Sequence, residues 1–248
     1  MIKIRGLKRR LGSKQVLDGV DLDIENGLTI VVMGRSGTGK SVLLKHIIGL
    51  MVPDEGSIEV DGVELVGLPE RELNEVRKKF GMLFQGAALF DSMTVGENVG
   101  LPLREHLRMK DKEVRERVRE RLEWVGLKDV ENTKPASLSG GMRKRVGLAR
   151  AIAMDPQFVL YDEPTTGLDP IMADVIDQLI RSLQKRLGVT SIVVTHDMTS
   201  AYKVADRMAM LNEGRVVFSG TPDETRATTD PMVRQFIEGS SEGPIKPL

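Results

Sequence analysis

Residues 34–41 read Gly34-Arg35-Ser36-Gly37-Thr38-Gly39-Lys40-Ser41, setting glycines, a lysine and a hydroxyl at the spacing G-x-x-x-x-G-K-[ST]. Those residue types suit one task. Glycines let main-chain N–H groups curl round phosphate oxygens where side chains would block the approach. The helix that follows adds partial positive charge at its N-terminus, Lys40 is placed to reach β- and γ-phosphates, and Ser41 offers a hydroxyl to Mg²⁺. The setting fits as well. An apolar β-type run over 28–33 precedes the turn, and Leu43, Leu44, Ile47 and Ile48 follow at helical spacing up to Gly49. A nucleotide-phosphate site is expected here.

Four later stretches could add chemistry. Leu138-Ser139-Gly140-Gly141-Met142 follows a turn at Pro135 and opens a helix, a second place where main-chain N–H groups could meet phosphate. The apolar run 158–161 ends in Asp162-Glu163-Pro164, which puts two carboxylates at the C-terminal end of a strand. Thr166-Gly167-Leu168-Asp169 is a tight loop just after, and His196 ends another apolar run. Taken alone, an Asp-Glu pair at a strand end is usually a loop start, and a lone histidine is more often structural than catalytic.

The elements that must hold these groups follow from patterning. Ile2, Ile4, Val16, Leu17, Val20, Leu22 and Ile24 suggest short strands around a turn at Gly12-Ser13-Lys14, an antiparallel β-element ahead of the phosphate loop. Strands are expected over 57–60, 80–84, 158–161 and 191–195, a hairpin over 208–219, and helices over 68–79, 171–187 and 200–205. Between 86 and 138 the texture turns helical and charged: Val114, Val118, Leu122 and Val125 share one face, and the charges read as a solvated surface. The expected fold is α/β, a P-loop NTPase (RecA-like) core with a parallel sheet, the N-terminal antiparallel element and an inserted helical subdomain. It occupies 1–238, and 239–248 form a tail.

Composition bounds the rest. The chain has 248 residues, long enough for one sizeable core with an insert, and Lys+Arg and Asp+Glu both number 36. That balance argues against nucleic acid as a partner, which calls for a basic domain or stripe. There is no cysteine, hence no disulfide framework or thiolate metal site. The basic start MIKIRGLKRRLGSK has no apolar stretch behind it, so no signal peptide is expected, and no run approaches the roughly 18 apolar residues of a membrane span.

In this order and context the motifs resemble the ATP-binding subunits of ABC transporters over nearly the whole chain. The resemblance implies ATP and Mg²⁺ as ligands. It makes residues 34–41 (Gly34, Arg35, Ser36, Gly37, Thr38, Gly39, Lys40 and Ser41) the Walker A loop. Asp162 becomes the Mg²⁺ carboxylate, joined by Ser41 and Gln85, and Glu163 the base that polarises water. His196 becomes the γ-phosphate sensor, Gln85 the Q-loop residue and Asp169 the D-loop residue. Ser139, Gly140 and Gly141 match the signature motif, which in this family completes the ATP site of the other subunit, so a head-to-tail homodimer is implied. The family's aromatic residue near the N-terminus, which stacks on adenine, is replaced by Leu11, leaving Val16 as an apolar contact for the base. Met142 stands where glutamine is common, and the D-loop reads TGLD rather than SALD.

The stretch Phe84-Gln85-Gly86-Ala87-Ala88-Leu89-Phe90, continuing to His106, resembles Mla-type systems, which move phospholipids between bacterial membranes. The resemblance implies an integral membrane permease, substrate-binding and accessory subunits, and a peripheral place on the cytoplasmic face of the inner membrane. An importer of polar solutes is the alternative within the family. A soluble ABC ATPase acting on DNA or ribosomes is the alternative outside it, but the chain has neither long coiled-coil insertions nor a second ATPase unit. At the C-terminus a helix over 231–238 is expected to present Val233, Phe236 and Ile237. Residues 239–243 read as flexible, and Ile245 and Leu248, set among prolines, are expected to cross to the other subunit.

Overall fold

A computed structural model describes residues 1–246; Pro247 and Leu248 lie outside the described residues. The chain packs as two compact units, Met1–Leu68 with the segment from Val194 onward, and Pro69–Val193. The expected helical insert over 86–138 therefore shares its unit with the βα elements on either side.

In the first unit, β1 (Ile2–Leu11) and β2 (Lys14–Ile24) form one long hairpin rather than short strands. Strand β4 (Glu55–Val60) pairs with the other edge of β1, and β5 (Val63–Glu64) follows, giving the antiparallel order β2-β1-β4-β5. Ile4 stands opposite both Leu22 and Ile58, so alternate apolar residues of three strands meet on one buried face. A register shift between Ile4 and Leu7 breaks the alternation and brings Leu7 back to the core. The other strands of this unit are β3 (Thr29–Met33), buried along its whole length, β9 (Arg207–Asn212) parallel to it, and β10 (Arg215–Gly220) antiparallel to β9. Its helices are α1 (Lys40–Ile47), α7 (Met198–Val204), α8 (Pro222–Ala227) and α9 (Pro231–Glu238).

The second unit holds α2 (Glu70–Arg77), β6 (Phe80–Leu83), α3 (Val95–Leu107), α4 (Asp111–Trp124), α5 (Gly140–Ala151), β7 (Phe158–Asp162) and α6 (Pro170–Leu187). Strands β6 and β7 are parallel, with the Phe80 and Phe158 rings stacked at 4.9 Å. Strand β8 (Thr190–Thr195), buried throughout, runs by chain from the second unit into the first. Parallel strands linked by helices, preceded by an antiparallel element, make this the expected α/β P-loop NTPase fold.

The charged run of α4 departs from expectation. Val114, Val118 and Leu122 are buried as the periodicity requires, but Arg121 is buried with them. Its guanidinium pairs with Asp155, stacks on Trp124 at 3.8 Å, and shares that ring with Arg186 at 4.1 Å. One arginine of the supposed solvent face thus belongs to the interior, with the indole supplying apolar contact along its plane.

Strand β6 passes so close to the end of α5 that a Cβ on Gly81 would stand 2.0 Å from the Ala151 carbonyl oxygen. No side-chain rotamer relieves a clash with main chain, so Gly81→Ala is expected to destabilise the protein by about 3 kcal/mol or more. A denaturant titration followed by circular dichroism reads this directly; a midpoint unchanged from the parent would contradict the packing.

Candidate active site

Two sets of residues assemble, one in each unit. In the first, the phosphate loop leaves β3 and enters α1 through Gly34, Gly37 and Gly39, whose φ angles are 155°, 79° and 101°. Sterics demand glycine at the outer two. A Cβ on Gly34 would lie 2.4 Å from the Leu211 carbonyl oxygen, and one on Gly39 would lie 2.8 Å from that of Val16. Lys40, buried, donates from Nζ to the carbonyl oxygens of Gly34 at 2.7 Å and Arg35 at 2.9 Å, and Thr38 Oγ1 also donates to Arg35 O at 2.9 Å. The lysine is thereby folded over its own loop. No side chain caps α1 at Gly39, and no acidic residue occupies its first turn. A helix start without a capping carboxylate suits an anionic ligand.

His196 follows β8 directly, and Asp197 then caps α7 by accepting from the Thr199 and Ser200 N–H groups at 2.8 and 3.3 Å. The histidine is thus held between a buried strand and a capped helix. It lines a cavity of about 450 Å³ together with Arg35 and Ser36 of the phosphate loop. Val16, almost wholly buried, lies beneath Gly39 and lines a neighbouring cavity of about 680 Å³ with residues 35–38.

In the second unit, Asp162 ends β7 and Glu163 follows it, both nearly buried. Glu163 takes φ 48°, a left-handed conformation that non-glycine residues seldom hold without support. Support comes from Thr166, whose Oγ1 donates to Glu163 Oε2 at 3.2 Å, and from Lys144, whose Nζ donates to the Glu163 carbonyl at 3.1 Å. The same ammonium donates to the carbonyl of Gln85. Lys144 therefore ties Gln85 to the carboxylate loop through main-chain atoms. Burial lowers its pKa from the usual lysine value, against the pull of the Asp162 and Glu163 charges.

Ser139 caps α5, its Oγ accepting from the Met142 N–H at 3.2 Å, so residues 139–141 do open a helix. Leu168 lies beside Gly140 and Met172 against Gly141. Asp169 caps α6, accepting from the Ile171 and Met172 N–H groups at 3.1 and 3.0 Å. Further along α5, Arg150 donates to the carbonyls of Ala87 and Ala88 at 2.7 Å, and both alanines have positive φ.

Sequence reasoning missed Lys144, which sits between two arginines and reads as surface. The available signal was its phase. With Gly141, Leu148 and Ala151 it falls on one buried face of α5 at helical spacing.

A strand, a glycine-lysine-serine loop and a helix in this geometry define a P-loop NTPase. The model of the family described as ABC transporter matches residues 17–166, more than half the chain, and the chain belongs to that family. It is the ATP-binding, ATP-hydrolysing component. Among relatives, the "Probable ribonucleotide transport ATP-binding protein mkl" of Mycobacterium leprae is 44% identical over 98% of this chain and 70% of its own. The "Intermembrane phospholipid transport system ATP-binding protein MlaF" of Haemophilus influenzae is 41% identical over 99% of this chain and 93% of its own. The dimeric structure of the ATP-binding cassette MJ0796 bound to ADP and Pi superposes with a TM-score of 0.83 at 36% identity, covering 90% of this chain and 99% of that one.

Replacing Lys144 by Met keeps the stem and removes the ammonium, leaving the Gln85 and Glu163 carbonyls without that donor. Turnover is expected to fall about 10- to 100-fold through misplacement of the Glu163 loop, with KM for ATP nearly unchanged. Steady-state kinetics check the split; an equal effect on KM and none on kcat would remove Lys144 from the reacting geometry.

Proposed function

We propose that the chain is the ATPase subunit of a transporter that moves phospholipid, or a related hydrophobic molecule, through a separate membrane permease. The observation that carries this reading is the 41% identity, over nearly both full lengths, to a protein named for intermembrane phospholipid transport. A groove in the second unit supports it. Phe84, Ala88, Phe90, Leu101, Pro102 and Met154 line a cavity of about 610 Å³, with Phe90 half exposed. It is an apolar seat of the kind that a membrane subunit's cytoplasmic helix would fill. Among the described residues no helix is long and apolar enough to cross a membrane. The protein is placed, on this reading, at the cytoplasmic face of the inner membrane through its permease, with substrate-binding and accessory subunits completing the system.

In the proposed mechanism, Lys40 swings from the carbonyls of Gly34 and Arg35 to the β- and γ-phosphates, while the N–H groups of residues 34–41 cradle them. Phosphoryl transfer is mostly positioning and charge stabilisation, and this loop supplies both. The hydroxyl of Ser41, the carboxylate of Asp162 and the amide oxygen of Gln85 are hard oxygen donors of the sort Mg²⁺ takes, and would hold it. Mg²⁺, when bound, neutralises phosphate charge. Glu163 accepts a proton from the attacking water, and His196 reports the γ-phosphate. Ser139, Gly140 and Gly141 serve the nucleotide of a second copy in a head-to-tail homodimer, an arrangement supported by the dimeric state of MJ0796.

Glu163→Gln preserves shape and removes the base. ATP binding is expected to persist while turnover falls by at least about 10²-fold, measured as phosphate release; turnover close to the parent's would remove Glu163 from that role.

The 44% identity to proteins named for ribonucleotide transport favours a second reading, a polar solute as cargo. Purifying the subunit in complex with its permease and identifying the co-purified molecules by mass spectrometry separates the two. Phospholipid bound in near-stoichiometric amount, and ATPase activity stimulated by it, is the expected result. Stimulation by nucleoside phosphates without lipid would support the polar cargo instead.

A further inference from the structure

His46, in the last turn of α1, is wholly buried yet takes no part in phosphate chemistry. Its Nδ1 lies 2.8 Å from the Val42 carbonyl oxygen, one turn back along the helix. A carbonyl can only accept, so Nδ1 carries the proton of the neutral ring. Nε2 is buried too, and among the described residues it has no hydrogen-bond partner.

Beside the ring stands a staple between β1 and the segment that follows α1. Arg9 of β1 donates from Nη1 to the Val52 carbonyl at 3.1 Å and to Asp54 Oδ1 at 2.8 Å. Asp54 Oδ2 accepts from the Arg10 N–H at 2.6 Å, and the Asp54 N–H donates to the Lys8 carbonyl at 2.9 Å. The same segment closes the end of α1, where the Lys45 carbonyl accepts from the Leu50 and Met51 N–H groups. Burial lowers the His46 pKa from its ordinary 6.5. The Val42 carbonyl opposes the shift, the Arg9 charge adds to it, and the Val52 carbonyl and the Asp54 charge oppose it again. Asp54 stays ionised, its carboxyl held below the usual range by the Arg10 N–H above all and by Arg9. Of the other charges on these elements, Lys45 of α1 is exposed, Lys8 of β1 pairs with Glu55, and Asp18 of β2 pairs with Arg215.

A second proton on His46 gives Nε2 a hydrogen for which the Val52 carbonyl is the acceptor at hand. Arg9 already uses that oxygen, so two cations then compete for one carbonyl in a place shielded from water. We propose that His46 is a proton sensor: on acidification it displaces Arg9 from Val52, frees residues 50–54 from β1 and slackens the end of α1, which weakens nucleotide binding. Helix α1 has only eight residues, and His46 stands about 9 Å along it from Lys40, so a loosened end reaches the phosphate loop. The inference rests on the reading of residues 34–41 as the phosphate site. The unfolded chain takes up this proton at the ordinary value and the native chain at lower pH. The stability tied to neutral His46 is therefore full above 6.5 and is lost as the pH falls from there toward the native value.

The chain has three histidines, and NMR of the full chain follows their Hε1 signals with pH, His46→Gln assigning one of them. The His46 signal is expected to titrate below 6.5, and at higher pH in Arg9→Met, which lacks the opposing cation. Amide exchange at Arg10 and Asp54, corrected for intrinsic rates, is expected to rise about tenfold between about pH 7.5 and about pH 5.5 in the parent and not in His46→Gln. Over the same range ATP affinity is expected to fall about fivefold more in the parent than in that variant. The comparison cancels the titration of His196 and of ATP itself. Should His46→Gln fold poorly, which thermal unfolding reports, the titration and exchange of the parent and Arg9→Met decide. A His46 signal that titrates at or above 6.5, or only when the whole chain unfolds, overturns the proposal. So does exchange at Arg10 and Asp54 that merely tracks global unfolding, and so does an equal loss of ATP affinity in parent and variant. If Lys40→Ala binds ATP as the parent does, the phosphate-site reading falls, while the titration and exchange still report on the staple.

Discussion

A loop that binds phosphate through main-chain N–H groups must expose backbone that folding would otherwise pair or cover. The first unit meets this constraint by wedging the loop between two other main-chain segments. Gly34 presses on the Leu211 carbonyl at the end of β9, and Gly39 on that of Val16 in β2. The loop is therefore located by backbone contact with two strands far away in sequence. Its shape depends little on side-chain rotamers. Sheet order follows from the same need, since β3 must lie beside β9 for the Gly34 contact to exist.

The second unit uses the opposite device, one buried charge. Left-handed φ at Glu163 costs of order 1–3 kcal/mol, and Lys144 helps to hold it by binding the carbonyl on the strained residue itself. Because its ammonium also binds Gln85, the strain is anchored to the loop that begins the helical region. Two carbonyls and the nearby Asp162 and Glu163 charges offset part of the desolvation of this buried lysine.

Much of this was legible in the chain because it is local. Glycine spacing, β-alternation and turn residues before a helix all act within a few residues, and the phosphate loop, the helix start at residues 138–142 and the core strands are legible accordingly. Helix α3 lies inside the region read as helical, with Gly96, Gly100 and Pro102 blurring its bounds. Its sign was the capping box of Thr94 and Glu97, whose side chains bond each other's main chain. What stayed hidden was long-range. Arg121 and Lys144 look like members of charged runs until the packing of α4 and α5 shows which turn faces inward.

The grip of Arg150 on Ala87 and Ala88 has an evolutionary consequence. The loop is fixed by its carbonyl oxygens, which every amino acid carries, while the side chains of Ala88 and Phe90 stay exposed. Mutation can rewrite those surface positions without dissolving the loop beneath them. On the proposed function, a lineage of such subunits is thus free to drift toward new membrane partners while its hydrolytic machinery stays unaltered, so that engine and coupling diverge at separate rates.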